Sequence, residues 1–362
     1  MADRVYNFSP GPAVLPLSVL ERIQKDMLAL PGAGASILEI SHRSKPFEKI
    51  LDSAKSRLTR LLGIPANYKI LFLQGGSRLQ FSMIPMNLLK GSGKTAEYLV
   101  TGSWGKYALE EAKKEGECRV VWDGKATNYD RLPSASDYKS DANAAYLHFT
   151  SNETIQGVQF LAEPAANATL ICDASSDFMC RPLPMEKYGM LYACAQKNAG
   201  PSGVTAVIIR EDLVAKSAET LPGYLSYKKH SDENSLWNTP NTFGIYVVDL
   251  VCQWLEEEIG GLAKMEALNR KKSGLLYEVI DASGGFYKGH AQPANRSLMN
   301  VTFRLPSDEI QEKFLAEAKA KKLTDLKGHR SVGGIRASIY NAMPLAGVEL
   351  LRDFMKEFRA KN

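Results

Sequence analysis

A chain of 362 residues, 44 % hydrophobic and 23 % charged, is long enough for two domains around a large core, and its composition is that of an ordinary globular protein. A net charge of +5, with no basic run interleaved with aromatics, excludes a nucleic-acid footprint and suits small anionic ligands. No apolar run reaches membrane-spanning length, and five cysteines without paired spacing read as free thiols, with neither a disulfide frame nor a metal site.

The chain opens with "MADRVYNFSPGP", which carries charge early and lacks an apolar h-region. No secretory signal is expected, and the cytoplasm is the expected compartment. Seven short apolar runs follow, at 69–74, 96–102, 118–122, 144–150, 168–174, 189–195 and 205–210, and each reads as a strand. Helical stretches stand between them, such as "LQFSMIPMNLL" after the first and "KYALEEAKKEG" after the second. This rhythm predicts an α/β fold with a largely parallel sheet covered on both faces, binding ligands at the carboxyl ends of its strands. Two helices are expected at 242–260 and 262–282, the second placed to bridge two domains. Strands at 297–305 and 334–340, and a helix with Ser307 as N-cap, predict a smaller α+β domain in the last third.

The strand ends carry the chemistry. "CAQKNAGPSG" sets Lys197 in a loop of small residues straight after an apolar strand. "LICDASS" ends another strand with Asp173. "LQGGSRLQF" puts Gly75, Gly76 and Ser77 before an apolar helix, whose free backbone N–H groups suit a phosphate. "TGSWGKY" sets Trp104 in a glycine-rich turn as a flat stacking face. Taken singly, each has an ordinary explanation, since most lysines are solvated and strand-end carboxylates often form turns. Together they are the four parts that pyridoxal phosphate needs: a lysine, an anion at the ring nitrogen, a phosphate cup and a ring contact. "GSGKT" at 91–95 is a decoy, because the glycine a P-loop needs is Leu88 and the stretch precedes a strand. The G-x-G-x-x-G fingerprint of hydride transfer is absent.

"YGMLYACAQKNAGPSG" resembles the lysine signature of the class V pyridoxal-phosphate aminotransferases. "FSPGPAVLP", "ISHRS", "SNETIQGVQF", "CDASSDF", "NTPNTF" and "GGIRASIYNAMP" extend the resemblance from residue 7 to the C-terminal region, toward members with a phosphorylated substrate. The resemblance implies pyridoxal-phosphate fold type I, with a mostly parallel seven-stranded sheet. It implies a segment 1–16 joining small domain and active site, a large domain 17–258 and a small domain 259–362. Lys197 would bind the cofactor covalently, Asp173 would pair with its ring nitrogen, Trp104 would stack on the ring, and Thr154 would bond its phenolic oxygen. Ser77 and Arg78 would hold the phosphate, helped by Gln196 and by Asn238 and Thr239 of a partner subunit, so a homodimer is implied. The glycine turn departs from commoner family versions, which leaves the roles of Ser77 and Arg78 to be apportioned. Arg336 would take the α-carboxylate, and Ser9, His42, Arg43, His329 and Arg330 complete the implied substrate set.

The implied reaction is ping-pong transfer of an amino group between L-glutamate and 3-phosphohydroxypyruvate, giving O-phospho-L-serine and 2-oxoglutarate. Arginine pairs with both γ-carboxylate and phosphate, which explains two His-Arg pairs in a chain with five histidines. Aminotransferases of alanine, glyoxylate or serine have no distal anion to bind. A cysteine desulfurase would need a cysteine on a mobile loop, and none of the five sits in a glycine-rich lid. A non-enzymatic relative would not need Lys197. His148 is expected to be structural, His230 and His290 solvated, and Cys194 a small apolar filler.

Overall fold

In the computed structural model, which describes residues 4–362, the seven predicted strands form one sheet. They are β1 (Tyr68–Leu73), β2 (Ala96–Val100), β3 (Cys118–Asp123), β4 (Leu147–Thr150), β5 (Leu170–Asp173), β6 (Tyr188–Cys194) and β7 (Thr205–Arg210). Their order across the sheet is β1–β7–β6–β5–β4–β2–β3. All pairs are parallel except those of β7, which runs antiparallel to both β1 and β6. The reason is length. A parallel return needs a crossover of a dozen or more residues, and residues 195–204 between β6 and β7 are too few. That short connection is the loop that carries Lys197.

Alternate residues of β1 enter opposite cores, as period-two geometry requires. Ile70 and Phe72 share a core with α1 (Leu17–Asp26), α2 (Lys45–Leu62) and α5 (Thr242–Trp254). Leu71 and Leu73 pack under α3 (Gly76–Leu88) and α4 (Ser103–Ala112). All seven residues of β6 are buried, as a strand covered on both faces should be. The predicted helix 242–260 ends its α-helical part at Trp254 and continues as a wider π turn, Leu255–Ile259. That turn carries Glu256, which pairs with Arg57 at 2.6 Å and Arg60 at 2.9 Å on α2.

The following helix, α6 (Leu262–Asp281), joins two cores. Leu262 and Met265 pack with the large sheet, whereas Leu276, Val279 and Ile280 pack with the C-terminal third. There β8 (Lys288–Gly289), β9 (Asn300–Arg304) and β10 (Ile335–Ser338) form an antiparallel sheet beside α7 (Asp308–Ala320) and α8 (Leu345–Lys361). Ser307 caps α7 as expected, accepting from the Ile310 amide at 3.2 Å. The N-terminal residues belong to this side of the molecule. Tyr6–Asn7 pairs in parallel with Leu323–Thr324, and Phe8 is buried in the same core. The segment then crosses to the large sheet, where the Ala13 amide donates to the Gln196 carbonyl at 2.9 Å. Among the described residues no helix is long and apolar enough to cross a membrane.

Candidate active site

Five strands of the large sheet end at one edge, and each delivers a side chain or a helix start there. After β1, Gly75 and Gly76 take positive φ of 85° and 64° and turn the chain into α3. A Cβ at Gly75 would lie 2.5 Å from Leu79, so only glycine fits the turn. The first amides of α3 have no intrahelical partners, which leaves an anion-binding end beside Ser77 and Arg78. After β2, Trp104 sits in the first turn of α4. After β4, a hairpin of Asn152–Glu153 with Val158–Gln159 presents Thr154. Asp173 closes β5, and Lys197 lies just beyond β6.

These groups meet. Lys197 Nζ donates to Thr154 Oγ1 at 3.1 Å and stands 5.1 Å from the Trp104 ring centroid. The Arg78 guanidinium lies 5.5 Å from the same ring and 4.2 Å from that of Tyr107. Asp173 Oδ1 accepts from the Ser175 amide at 3.0 Å and from its hydroxyl, and Ser175 Oγ meets Ser77 Oγ at 2.5 Å. A chain of hydroxyls therefore links the phosphate-type helix end to the buried carboxylate. Burial pushes the Asp173 carboxyl up, against the pull of Lys197 and Ser175. Burial pushes the Lys197 ammonium down, yet Cys194, Tyr340, Asp173 and Glu153 outweigh it and hold its pKa above the ordinary lysine value. The Trp104 indole N–H is buried with no partner, one donor left over for a bound group.

The small domain approaches from the other side. Arg336 on β10 is buried and its Nε has no partner. Burial lowers its pKa, which favours a site where a carboxylate would complete it. His329 is held through Nδ1 and the Ser331 hydroxyl at 2.7 Å, and burial together with Arg336 and Arg330 pushes its pKa down. Ser9 lies on the crossing segment, where a Cβ on Gly11 would stand 3.3 Å from Lys197 Cγ. The structure does not bring every predicted residue into contact. Arg330 and Arg43 are exposed and His42 is half-buried, while the hydrogen bond of Lys197 Nζ goes to Thr154. Asn238 donates to Gln74 at 3.2 Å, beside the glycine turn, and Thr239 is exposed.

The profile of the family described as aminotransferase class-V matches residues 5–351. The chain belongs to the class V aminotransferase family. It is 60 % identical over 362 residues to the phosphoserine aminotransferase of Rhodopirellula baltica, covering 99 % of this chain and 96 % of that one. The solved phosphoserine aminotransferase of Bacillus circulans subsp. alkalophilus superposes with a TM-score of 0.96 at 50 % identity, covering 99 % of each chain. A pyridoxal-phosphate-bound phosphoserine aminotransferase from Trichomonas vaginalis superposes with a TM-score of 0.92 at 40 % identity, covering 98 % of this chain and 100 % of that one.

This class V chain also holds a group that the sequence did not single out. Glu153, 0 % exposed, accepts from the Trp104 amide at 3.0 Å and the Gly105 amide at 2.9 Å, capping α4 from another strand end. A Cβ at Gly102 would lie 2.5 Å from the Glu153 carboxyl carbon, which accounts for the glycine before "SWG". Burial pushes the Glu153 carboxyl up to about 7, against those two amides. The only sequence signal was its place beside Thr154 in "SNETIQG". One expectation is corrected outright. His230 is not solvated: it is 3 % exposed and its Nε2 meets the Tyr224 carbonyl at 2.8 Å, because helix Tyr227–Asp232 packs it inward. His290 is half-buried against the Asn128 carbonyl. His148 is structural as expected, bonded to the Tyr192 hydroxyl at 2.9 Å and pushed down to about 3 by burial.

Proposed function

We propose that the chain transfers an amino group reversibly between L-glutamate and 3-phosphohydroxypyruvate, giving O-phospho-L-serine and 2-oxoglutarate, on pyridoxal 5′-phosphate. Full-length likeness to phosphoserine aminotransferases carries this reading, and the cluster of Lys197, Thr154, Trp104 and Asp173 gives it chemistry. The residues fit the cofactor: a buried carboxylate, an indole donor without a partner, a helix end for phosphate and an amine between them. Bound there, pyridoxal phosphate supplies an electron sink conjugated to the substrate α-carbon.

The chain's own groups do the rest. Lys197 Nζ would take the proton from the substrate α-carbon and return it to the cofactor carbon on the other side of the linking nitrogen, acting as base and then acid. Asp173 holds positive charge on the ring nitrogen, and its bonds to Ser175 fix its aim. Trp104 covers one ring face and Thr154 orients the phenolic oxygen. Ser77, Arg78 and Gln196 hold the phosphate, with Asn238 and Thr239 reaching it from the partner subunit of a homodimer. Arg336 fixes the α-carboxylate that every substrate carries. Ser9, His42, Arg43, His329 and Arg330 receive the distal carboxylate or phosphate. The same reading divides the chain into segment 1–16, large domain 17–258 and small domain 259–362, and a cytoplasmic setting suits five free thiols.

The test is an absorbance spectrum. Protein loaded with pyridoxal phosphate is expected to be yellow, to bleach on addition of L-glutamate, and to regain its colour with 3-phosphohydroxypyruvate. A band that glutamate leaves unchanged overturns the reading.

A further inference from the structure

Lys272, on the middle of α6, is 0 % exposed, and among the described residues no carboxylate pairs with it. Its Nζ donates instead to four backbone carbonyls: Ile339 at 3.0 Å, Tyr340 at 2.8 Å, Asn341 at 3.2 Å and Met343 at 3.3 Å. An ammonium has three N–H groups, so four oxygens share three protons. Carbonyls converging on one centre from a single turn are what a bound monovalent cation gathers. Burial pushes the Lys272 ammonium down to about 7, with Cys180 alone pulling the other way.

The turn around this cation touches three parts of the site. It follows β10, which carries Arg336. The Asn341 amide donates to Asn198 Oδ1 at 2.9 Å, next to Lys197, and Asn341 Nδ2 donates to the Met179 carbonyl at 2.9 Å. The Tyr340 hydroxyl donates to the Pro10 carbonyl at 2.8 Å on the crossing N-terminal segment. Asn269, three residues before Lys272 on α6, donates to Asn341 Oδ1 at 2.8 Å and so steadies the turn from the same helix face.

We propose that Lys272 is a positioning residue, a tethered cation whose carbonyl cradle fixes the turn 339–343 and thereby sets Lys197 against Arg336. The inference rests on the roles given above to those two residues. An apolar side chain of equal length would fill the space but take the lysine donor from four carbonyls, of which that of Tyr340 also accepts from the Met343 amide at 2.9 Å, so packing alone does not account for a lysine here.

Lys272→Met, Lys272→Ala and Asn198→Ala distinguish the roles. In cofactor-loaded protein, Lys272→Met is expected to raise KM for glutamate and for 3-phosphohydroxypyruvate by about tenfold or more, with the visible band retained. Asn198→Ala cuts the link from turn to lysine without touching the cradle, and is expected to give the same KM rise with a smaller change in melting temperature. Lys272→Ala refolded with ethylammonium is expected to recover KM by at least about threefold, and its apoprotein to melt at least ~2 °C higher, whereas tetramethylammonium at equal ionic strength does neither. Wild-type KM in Lys272→Met and Asn198→Ala overturns the proposal. So does a Lys272→Ala protein whose melting temperature ignores ethylammonium. Should glutamate leave the wild-type band unchanged, the proposed reaction falls, while the melting shift of the apoprotein still tests the cradle.

Discussion

The two ends of the site are built differently. At the large sheet, Asp173, Thr154 and Glu153 are buried; Thr154 bonds to another strand end, Glu153 to a helix start, and Asp173 to Ser175, which reaches the start of α3 at Ser77. At the proposed distal end, Arg330 and Arg43 lie exposed on turns and His42 is half-buried. Proton transfer at a fixed atom needs placement to fractions of an ångström, which strand ends supply. Recognition of a distal charge tolerates longer, looser arms, because charge attraction falls off slowly with distance. Arg336 stands between the two designs, on a strand and buried, yet unpaired.

Variants at each end sharpen this contrast. The largest effect belongs to Lys197→Ala, which should lower kcat by at least ~10⁴-fold while the cofactor still binds to the remaining cup. Steady-state rates beside the protein's absorbance check this, and a rate near one tenth of wild type would remove Lys197 from the chemistry.

Glu153 makes the buried end sensitive to pH. Its folded pKa of about 7 lies above the ordinary 4.5, so between those values the native state holds a proton that the unfolded chain releases. Stability from this group is full below the unfolded value and is lost as pH rises through the folded one. Relative to Glu153→Gln, the apoprotein should lose up to about 3 kcal/mol between roughly pH 4.5 and 7. Melting curves across that window that run parallel for the two proteins would contradict it.

Arg336→Ala should cost about 2 kcal/mol, roughly thirtyfold in kcat/KM, and should do so equally for glutamate, 3-phosphohydroxypyruvate and alanine. Arg330→Ala should cost only about tenfold, only for substrates with a distal anion, and less at high salt, because the group is exposed. If Arg330→Ala and Arg336→Ala depress alanine turnover alike, the two ends are not distinct.

Much of the buried end was readable from the chain. Apolar runs marked all seven strands, five of them with glycine close by, and the candidate site residues followed closely on them, so Lys197, Asp173 and Trp104 could be placed by local pattern. The direction of β7 was not read, although the short loop before it implies an antiparallel neighbour. Glu153 escaped because its partners lie 49 and 48 positions away, and nothing local distinguishes a buried carboxylate from a solvated one. Lys272 escaped for the same reason, its acceptors lying 67 to 71 positions downstream. His230 misled because polar neighbours in "YKKHSD" describe one helix face while the histidine occupies the other.

The crossing N-terminal segment has a consequence for synthesis. Pro10 takes its hydrogen bond from Tyr340, 330 positions later, and Tyr6 and Asn7 find their strand partners only at Leu323 and Thr324. A ribosome releases the first dozen residues long before those partners exist. The large sheet, complete by Arg210, can form while the chain is still growing. The wall beside Lys197 cannot, so the active site is finished last by the residues that were made first.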